Sequence, residues 1–319
     1  MFAQCCGCGD YKDAEVKLNA AAIAPEPVLE SSPRKQTEDS TERELIQEDL
    51  TEVAKLSYFD REISELKLMT SGSPGKTYTF KTGATYKGQW SGTTRHGFGV
   101  MKWPEGAKYE GQWKDNKAHG KGMLTHPDGD FYLGEWFENM AHGKGFYQHK
   151  DTTKYEGEWN MDHQEGNGIE TWGEGSRYCG QFKRGNKEGV GIYFWPDGSQ
   201  YQGTWTSNQI NGTGVYIGTD GRTFKGTWRD SVIHGRGKYS WAEGKTYEGE
   251  YFFDRKEGFG VFSWADKRKY EGYWSHGQQH GSGQMTLADG TCTISQWSEG
   301  KRVEAKSTPE DNQPEANQP

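Results

Sequence analysis

The chain has 319 residues, a formal net charge of −8, 31% hydrophobic residues and 14% aromatic ones, with 45 Gly and 13 Trp. Few aliphatic side chains beside many rings exclude both an ordinary aliphatic core and a wholly disordered chain; burial must come from rings lying on glycine backbone. Residues 1–75 carry a net −7, whereas residues 76–299 hold 27 charges of each sign, so the body lacks the basic stripe of a nucleic-acid binder.

No apolar run approaches the ~18–20 residues of a membrane span, and no basic-then-apolar leader opens the chain. The five cysteines have no disulfide-framework spacing, which fits a reducing, intracellular compartment. Residues 1–40 show no periodicity and read as a disordered arm. Its tip, Met1-Phe2-Ala3-Gln4-Cys5-Cys6-Gly7-Cys8-Gly9, packs its thiols too tightly in sequence to wrap one metal ion. Cys5, Cys6 and Cys8 are instead candidate S-acylation sites; the alternative is a floppy tip with free thiols. Two or three acyl chains would hold a membrane surface stably where one would not.

Residues 41–69 change character. Thr41-Glu42-Arg43-Glu44 has the capping-box pattern. Behind it Ile46, Leu50, Val53, Leu56, Phe59, Ile63, Leu66 and Met69 recur at three- and four-residue steps, which predicts one amphipathic α-helix about 42 Å long. Its apolar stripe either packs on the chain's own repeats or pairs with a partner or a second copy. Residues 70–77 form a linker. The run Thr70-Ser71-Gly72-Ser73-Pro74-Gly75-Lys76-Thr77 resembles a phosphate-binding loop, but the mechanism needs a strand before it and a helix after, and the pattern here is reversed.

From Tyr78 the chain repeats every 23 residues. Tyr86, Tyr109, Tyr132, Tyr155, Tyr178, Tyr201, Phe224, Tyr247 and Tyr270 are each followed by Gly at two residues and by an aromatic at four. A Gly-x-Gly pair keeps the same period, from Gly97 to Gly281. Nine such units predict an all-β, elongated ribbon of stacked antiparallel β-hairpins, about 90 Å long if straight, over residues 78–299. In each, Tyr, Gly and Trp share one face. Asn116, Asn139, Asp162, Gly185, Asn208, Asp254 and Gly277 stand in one column suited to left-handed turn residues. A tenth, degenerate unit (Thr293, Ser295, Trp297) suits a cap. Residues 300–319 read as a disordered tail.

The informative column lies on the second strand, facing away from the rings: Val100, Met123, Phe146, Ile169, Ile192 and Val215, then Lys238, Val261 and Gln284. Six apolar residues in succession predict either a face the ribbon's twist buries or a groove for a helix. A ~42 Å helix spans about four repeats, so residues 41–69 are a natural occupant, and a protein partner another. His96, His119, His142, His234 and His280 form a column too widely spaced to share a metal, and are expected to hydrogen-bond at the hairpin turns. Cys179 and Cys292 replace ordinary repeat residues and read as inert. Asn211-Gly212-Thr213 matches a glycosylation acceptor that has no meaning without secretion. No catalytic constellation and no cofactor site emerges.

The unit Tyr-x-Gly-x-Trp, followed by His-Gly-x-Gly and a Pro-Asp-Gly turn as at Pro127-Asp128-Gly129, resembles the MORN repeat (membrane occupation and recognition nexus). The resemblance covers about residues 78–299, and implies a hairpin ribbon used as a scaffold in membrane-tethering, ciliary and cortical proteins. It carries no catalytic residues. Departures are Phe182, Phe224 and Tyr251 at aromatic positions and Glu165, Glu188, Asn211 and Glu257 at the His position. The function expected is a non-enzymatic scaffold at a membrane–cytoskeleton boundary that takes protein partners, a helical one or a second copy included. The alternative is a phosphoinositide-binding module serving a separate enzyme, for which Lys108, Lys114, Lys117, Lys121 and Lys144 are the densest basic cluster.

Overall fold

The structure, a computed structural model, describes residues 76–303. The helix expected over 41–69 and the Cys5–Cys8 tip lie outside the described residues. All regular structure among the described residues is β-strand, in 21 strands. These residues form two compact units, 76–212 and 213–303.

In the first unit a short β1 (Tyr78–Thr79) pairs with β2 (Thr85–Ser91). Hairpins of seven and nine residues follow: β2 with β3 (Thr94–Lys102), β4 (Lys108–Lys114) with β5 (Lys117–Thr125), and β6 (Phe131–Phe137) with β7 (Met140–Gln148). Next come β8 (Lys154–Asn160) with β9 (His163–Thr171), and β10 (Arg177–Lys183) with β11 (Asn186–Phe194), which also pairs with β12 (Gln200–Thr206). The unit boundary falls within β13 (Gln209–Ile217). The second unit pairs β14 (Thr223–Arg229) with β15 (Val232–Ser240), and β16 (Thr246–Phe252) with β17 (Arg255–Ser263). It continues with β18 (Lys269–Ser275) and β19 (Gln278–Thr286), then β20 (Cys292–Ser298) and β21 (Lys301–Val303). Successive hairpins pair as well, as β3 does with β4 and β15 with β16. Strand β21 carries pairing past residue 299, into the segment expected to be tail.

The repeat builds this structure from three devices. The first is ring on glycine. Gly111 pairs with Gly122, and a bulge follows before Trp113 meets Ala118. The Tyr109 ring folds back over this pair, and its hydroxyl donates to the Gln112 carbonyl at 3.0 Å. A Cβ on Gly122 would collide with that ring, so the close approach excludes every larger residue there. The second device is a ladder of edge-to-face rings. Tyr109 lies 5.0 Å from Trp113 of its own repeat and 5.3 Å from Trp136 of the next, and Tyr132 repeats the pattern with Trp136 and Trp159. Each such contact is worth about 0.5–1.5 kcal/mol beyond burial. The indole N–H then ties the ladder to the backbone: Trp136 donates to the Gly122 carbonyl at 3.0 Å and Trp274 to Gly260 at 3.2 Å.

The third device is the turn. Asp115 and Asn116 both take positive φ, 49° and 68°, the geometry of a hairpin turn that follows strand twist. Here the turn column does more than the sequence reading assigned to it. The Asn116 side chain accepts from the Arg95 amide at 2.8 Å, Asn139 from Ala118 at 2.7 Å, and Asp254 from Ile233 at 2.7 Å. Each turn side chain therefore clamps the preceding hairpin. The degenerate last unit still extends the ladder, since Trp297 lies 5.3 Å from Tyr270.

Candidate partner-binding face

Strand pairing defines what stands on the face away from the ladder. In the first unit one cross-strand row runs Lys87, Val100, Glu110, Met123, Leu133, Phe146, Glu156, Ile169, Cys179, Ile192. The predicted Val100, Met123, Phe146, Ile169 and Ile192 all fall in it. Glutamates interrupt the row twice, leaving two apolar clusters: Met123–Leu133–Phe146 and Ile169–Cys179–Ile192. Val215 is half-buried, in the part of β13 that belongs to the second unit.

Leu133 and Cys179 come from the other strand of their hairpins, in a column that is charged or polar at Lys87, Glu110, Glu156, Gln202, Lys225, Glu248 and Glu271 and apolar again at Ile294. Leu133 is 2% exposed and Phe146 8% exposed, as buried as the ladder itself. Phe131 adds a ring 5.8 Å from Phe146. Burial pushes the Cys179 thiol above its ordinary pKa.

A second row borders the first on one side: Lys102, Lys108, Thr125, Phe131, Gln148, Lys154, Thr171, Arg177, Phe194. It holds four cations and no acid. Lys108 pairs with Glu110, and Arg177 stacks 5.3 Å from the Phe194 ring. Of the basic cluster singled out in the sequence, Lys117 pairs with Glu138 at 3.0 Å. Lys121 and Lys144 stand in a third row, directly opposite Glu135 and Glu158.

The histidine column behaves differently from expectation. His119 and His142 lie 5.5 and 5.7 Å from Phe137, and His234 lies 5.3 and 5.0 Å from Phe252 and Phe253. Ring packing is what these three display, whereas His96 stands 3.8 Å from the carboxylate of the turn residue Asp115. The turn bond appears where glutamate replaces His: Glu165 accepts from the Arg184 amide, Glu188 from Ser207 and Glu257 from His276, at 2.9–3.0 Å. Among the described residues no group of three or more His, Cys, Asp or Glu is placed to hold a metal ion. Nor is any helix there long and apolar enough to cross a membrane.

Nine consecutive stretches match the MORN repeat model: 86–108, 109–131, 132–154, 155–177, 178–200, 201–221, 224–246, 247–267 and 270–292. The chain belongs to the MORN-repeat family. Its MORN repeats are the hairpins described above, each match opening on the ladder Tyr or Phe. None of the curated proteins compared with this MORN-repeat chain matches it. Among solved structures it is similar to the TCP domain of SAS-4 (dCPAP) of Drosophila Melanogaster in complex with a proline-rich motif of Ana2. Identity is 10% over 69% of this chain and 88% of that one, with a TM-score of 0.25. A mutant TCP10 domain of Danio rerio CPAP is 13% identical over 72% and 100%, TM-score 0.25. Virginiamycin B lyase from Staphylococcus aureus is 12% identical over 70% of each chain, TM-score 0.14. Scores this low carry no argument about what the MORN repeats here do.

Proposed function

We propose that this chain is a non-enzymatic scaffold whose repeats hold protein partners at a boundary between membrane and cytoskeleton, cortical or ciliary. The family match supports a binding module. The observation that carries the reading further is the face opposite the ladder in the first unit, where Met123, Leu133 and Phe146 form an apolar cluster with no counterpart at the matching positions of the second unit. The ladder is common to the hairpins of both units, so an apolar cluster on only part of the opposite face supports a binding surface there. Cys5, Cys6 and Cys8 supply the membrane half of the reading as acyl acceptors. The mixed charge pairing around Lys117, Lys121 and Lys144 favours protein over phosphoinositide as the partner.

Fractionation of cell extracts with and without non-ionic detergent tests this. Detergent should release the chain from the membrane pellet, and a Cys5/Cys6/Cys8→Ser variant should be soluble without it. Vesicles containing phosphoinositides should not capture the purified, unacylated chain. Capture by such vesicles, or an unchanged distribution of the Cys variant in a detergent-soluble pellet, would overturn the reading.

A further inference from the structure

We propose that the apolar row of the first unit is the seat of residues 41–69 of the same chain, lying across the strands as a helix. This rests on the binding reading above and names an occupant for that face.

Three observations converge. The first is length. From Val100 on β3 to Ile192 on β11 the row crosses eight strand spacings of ~4.8 Å, about 38 Å. A 28-residue helix measures about 42 Å, and the segment ends seven residues before the first described residue, beside the repeats it would cover. The second is depth. Cross-strand neighbours shield only the flanks of a side chain on a sheet face, yet Leu133 is 2% and Phe146 8% exposed. On the corresponding row of the second unit Val261, with a strand on either side, is only half-buried. The third is charge. Residues 41–69 hold eight acidic and four basic side chains, and the bordering row carries Lys102, Lys108, Lys154 and Arg177 with no acid, Lys108 being already paired with Glu110. In the second unit Lys225, Lys238, Glu248 and Glu271 break the row around Val261, and the border holds one cation, Lys269, paired with Glu271.

Hydrogen exchange on the purified full chain, joined to amine cross-linking, tests the proposal. Amides of 41–69 should exchange at least tenfold slower than an unprotected chain, and Lys55 or Lys67 should cross-link to Lys108, Lys121, Lys144 or Lys154 within one molecule. A Leu56→Glu/Phe59→Glu variant, which leaves every repeat residue untouched, should abolish both signals while β3 to β11 keep their protection. Ile169→Glu with Ile192→Glu should release the same segment from the other side, seen as new protease sensitivity. Free exchange in the unmodified chain would overturn the proposal, as would protection that both variants leave intact. So would cross-links that join only differently labelled copies, which would make a second copy the occupant, or cross-links that fall on the second unit. The purified protein contains no membrane or cytoskeletal partner, so failure of the scaffold reading leaves this result unaffected. Free exchange would in turn leave the row open to a partner.

Discussion

The two units are built on the same kind of ladder face and differ on the face opposite it. Tyr132 with Trp136 in the first unit and Tyr270 with Trp274 in the second make the same edge-to-face contact, at 5.0 and 5.3 Å. Both ladders use the same indole-to-glycine bond. On the opposite face the register positions that hold Met123, Leu133 and Phe146 in the first unit hold Lys238, Glu248 and Val261 two repeats into the second. There Lys238 and Glu248 are exposed and form an ion pair at 3.6 Å, an arrangement worth little to stability. The ladder face is common to both units. The contiguous, buried apolar cluster Met123–Leu133–Phe146 of the first unit's opposite face has no counterpart at the matching positions of the second, and marks where the chain has room to do something besides stack hairpins.

The largest expected effect should not distinguish the units at all. Burial raises the pKa of ladder tyrosines in both, Tyr86 and Tyr270 to about 12. Their stabilising contribution is fully present below the unfolded-state value near 10 and is lost as pH rises through about 12, because the unfolded chain releases those protons first. A thermal melt series should hold level to about pH 10 and then fall, with tyrosinate absorbance appearing as each unit unfolds. Next in size, Tyr132→Ala and Tyr247→Ala should each lose about 3–5 kcal/mol in denaturant unfolding, matched between units.

The outer face should break that symmetry. Leu133→Ala should lose about 2–5 kcal/mol. Glu271→Ala, at the same repeat position, should stay within about 0.5 kcal/mol. Equal losses would mean the outer faces are equivalent. The smallest effect concerns a single bond. Trp136→Phe keeps the ring but removes the donor to Gly122, and should lose about 1 kcal/mol. Phe182→Trp should recover a similar amount, since Phe182 keeps its ring contact with Tyr155 at 5.0 Å and has no N–H to give.

Much of this was legible in the residues because the repeat constrains both spacing and chemistry. A ring at i, glycine at i+2 and a ring at i+4 has one compact solution, and the left-handed column from Asn116 to Gly277 fixes the hairpin tips. Leu133 was not legible, because its neighbours Met123 and Phe146 are ten and thirteen residues away and meet it only through strand register. The Asn and Asp clamps were hidden for a related reason: their partners lie 21 residues back, so the column displays the turn and conceals the bond. In the histidine column the shared chemistry suggests turn hydrogen bonding, while Phe137, Phe252 and Phe253 supply rings on which His119, His142 and His234 pack. Lys256 is a further case. A lysine in an aromatic repeat reads as surface, yet its ammonium lies 4.7 Å from the ring centres of both Phe262 and Trp274, a cation held by ring faces.

A photo-activatable residue placed at Met123 in one full-length chain and at Val261 in another, irradiated in cells, tests the central claim most directly. Each position is half-buried on the face away from the ladder in its own unit, and only Met123 lies in a contiguous apolar cluster. Adducts at position 123, to residues 41–69 or to a partner, with none at position 261, are the result predicted. Adducts at position 261 in equal or greater yield would contradict the account.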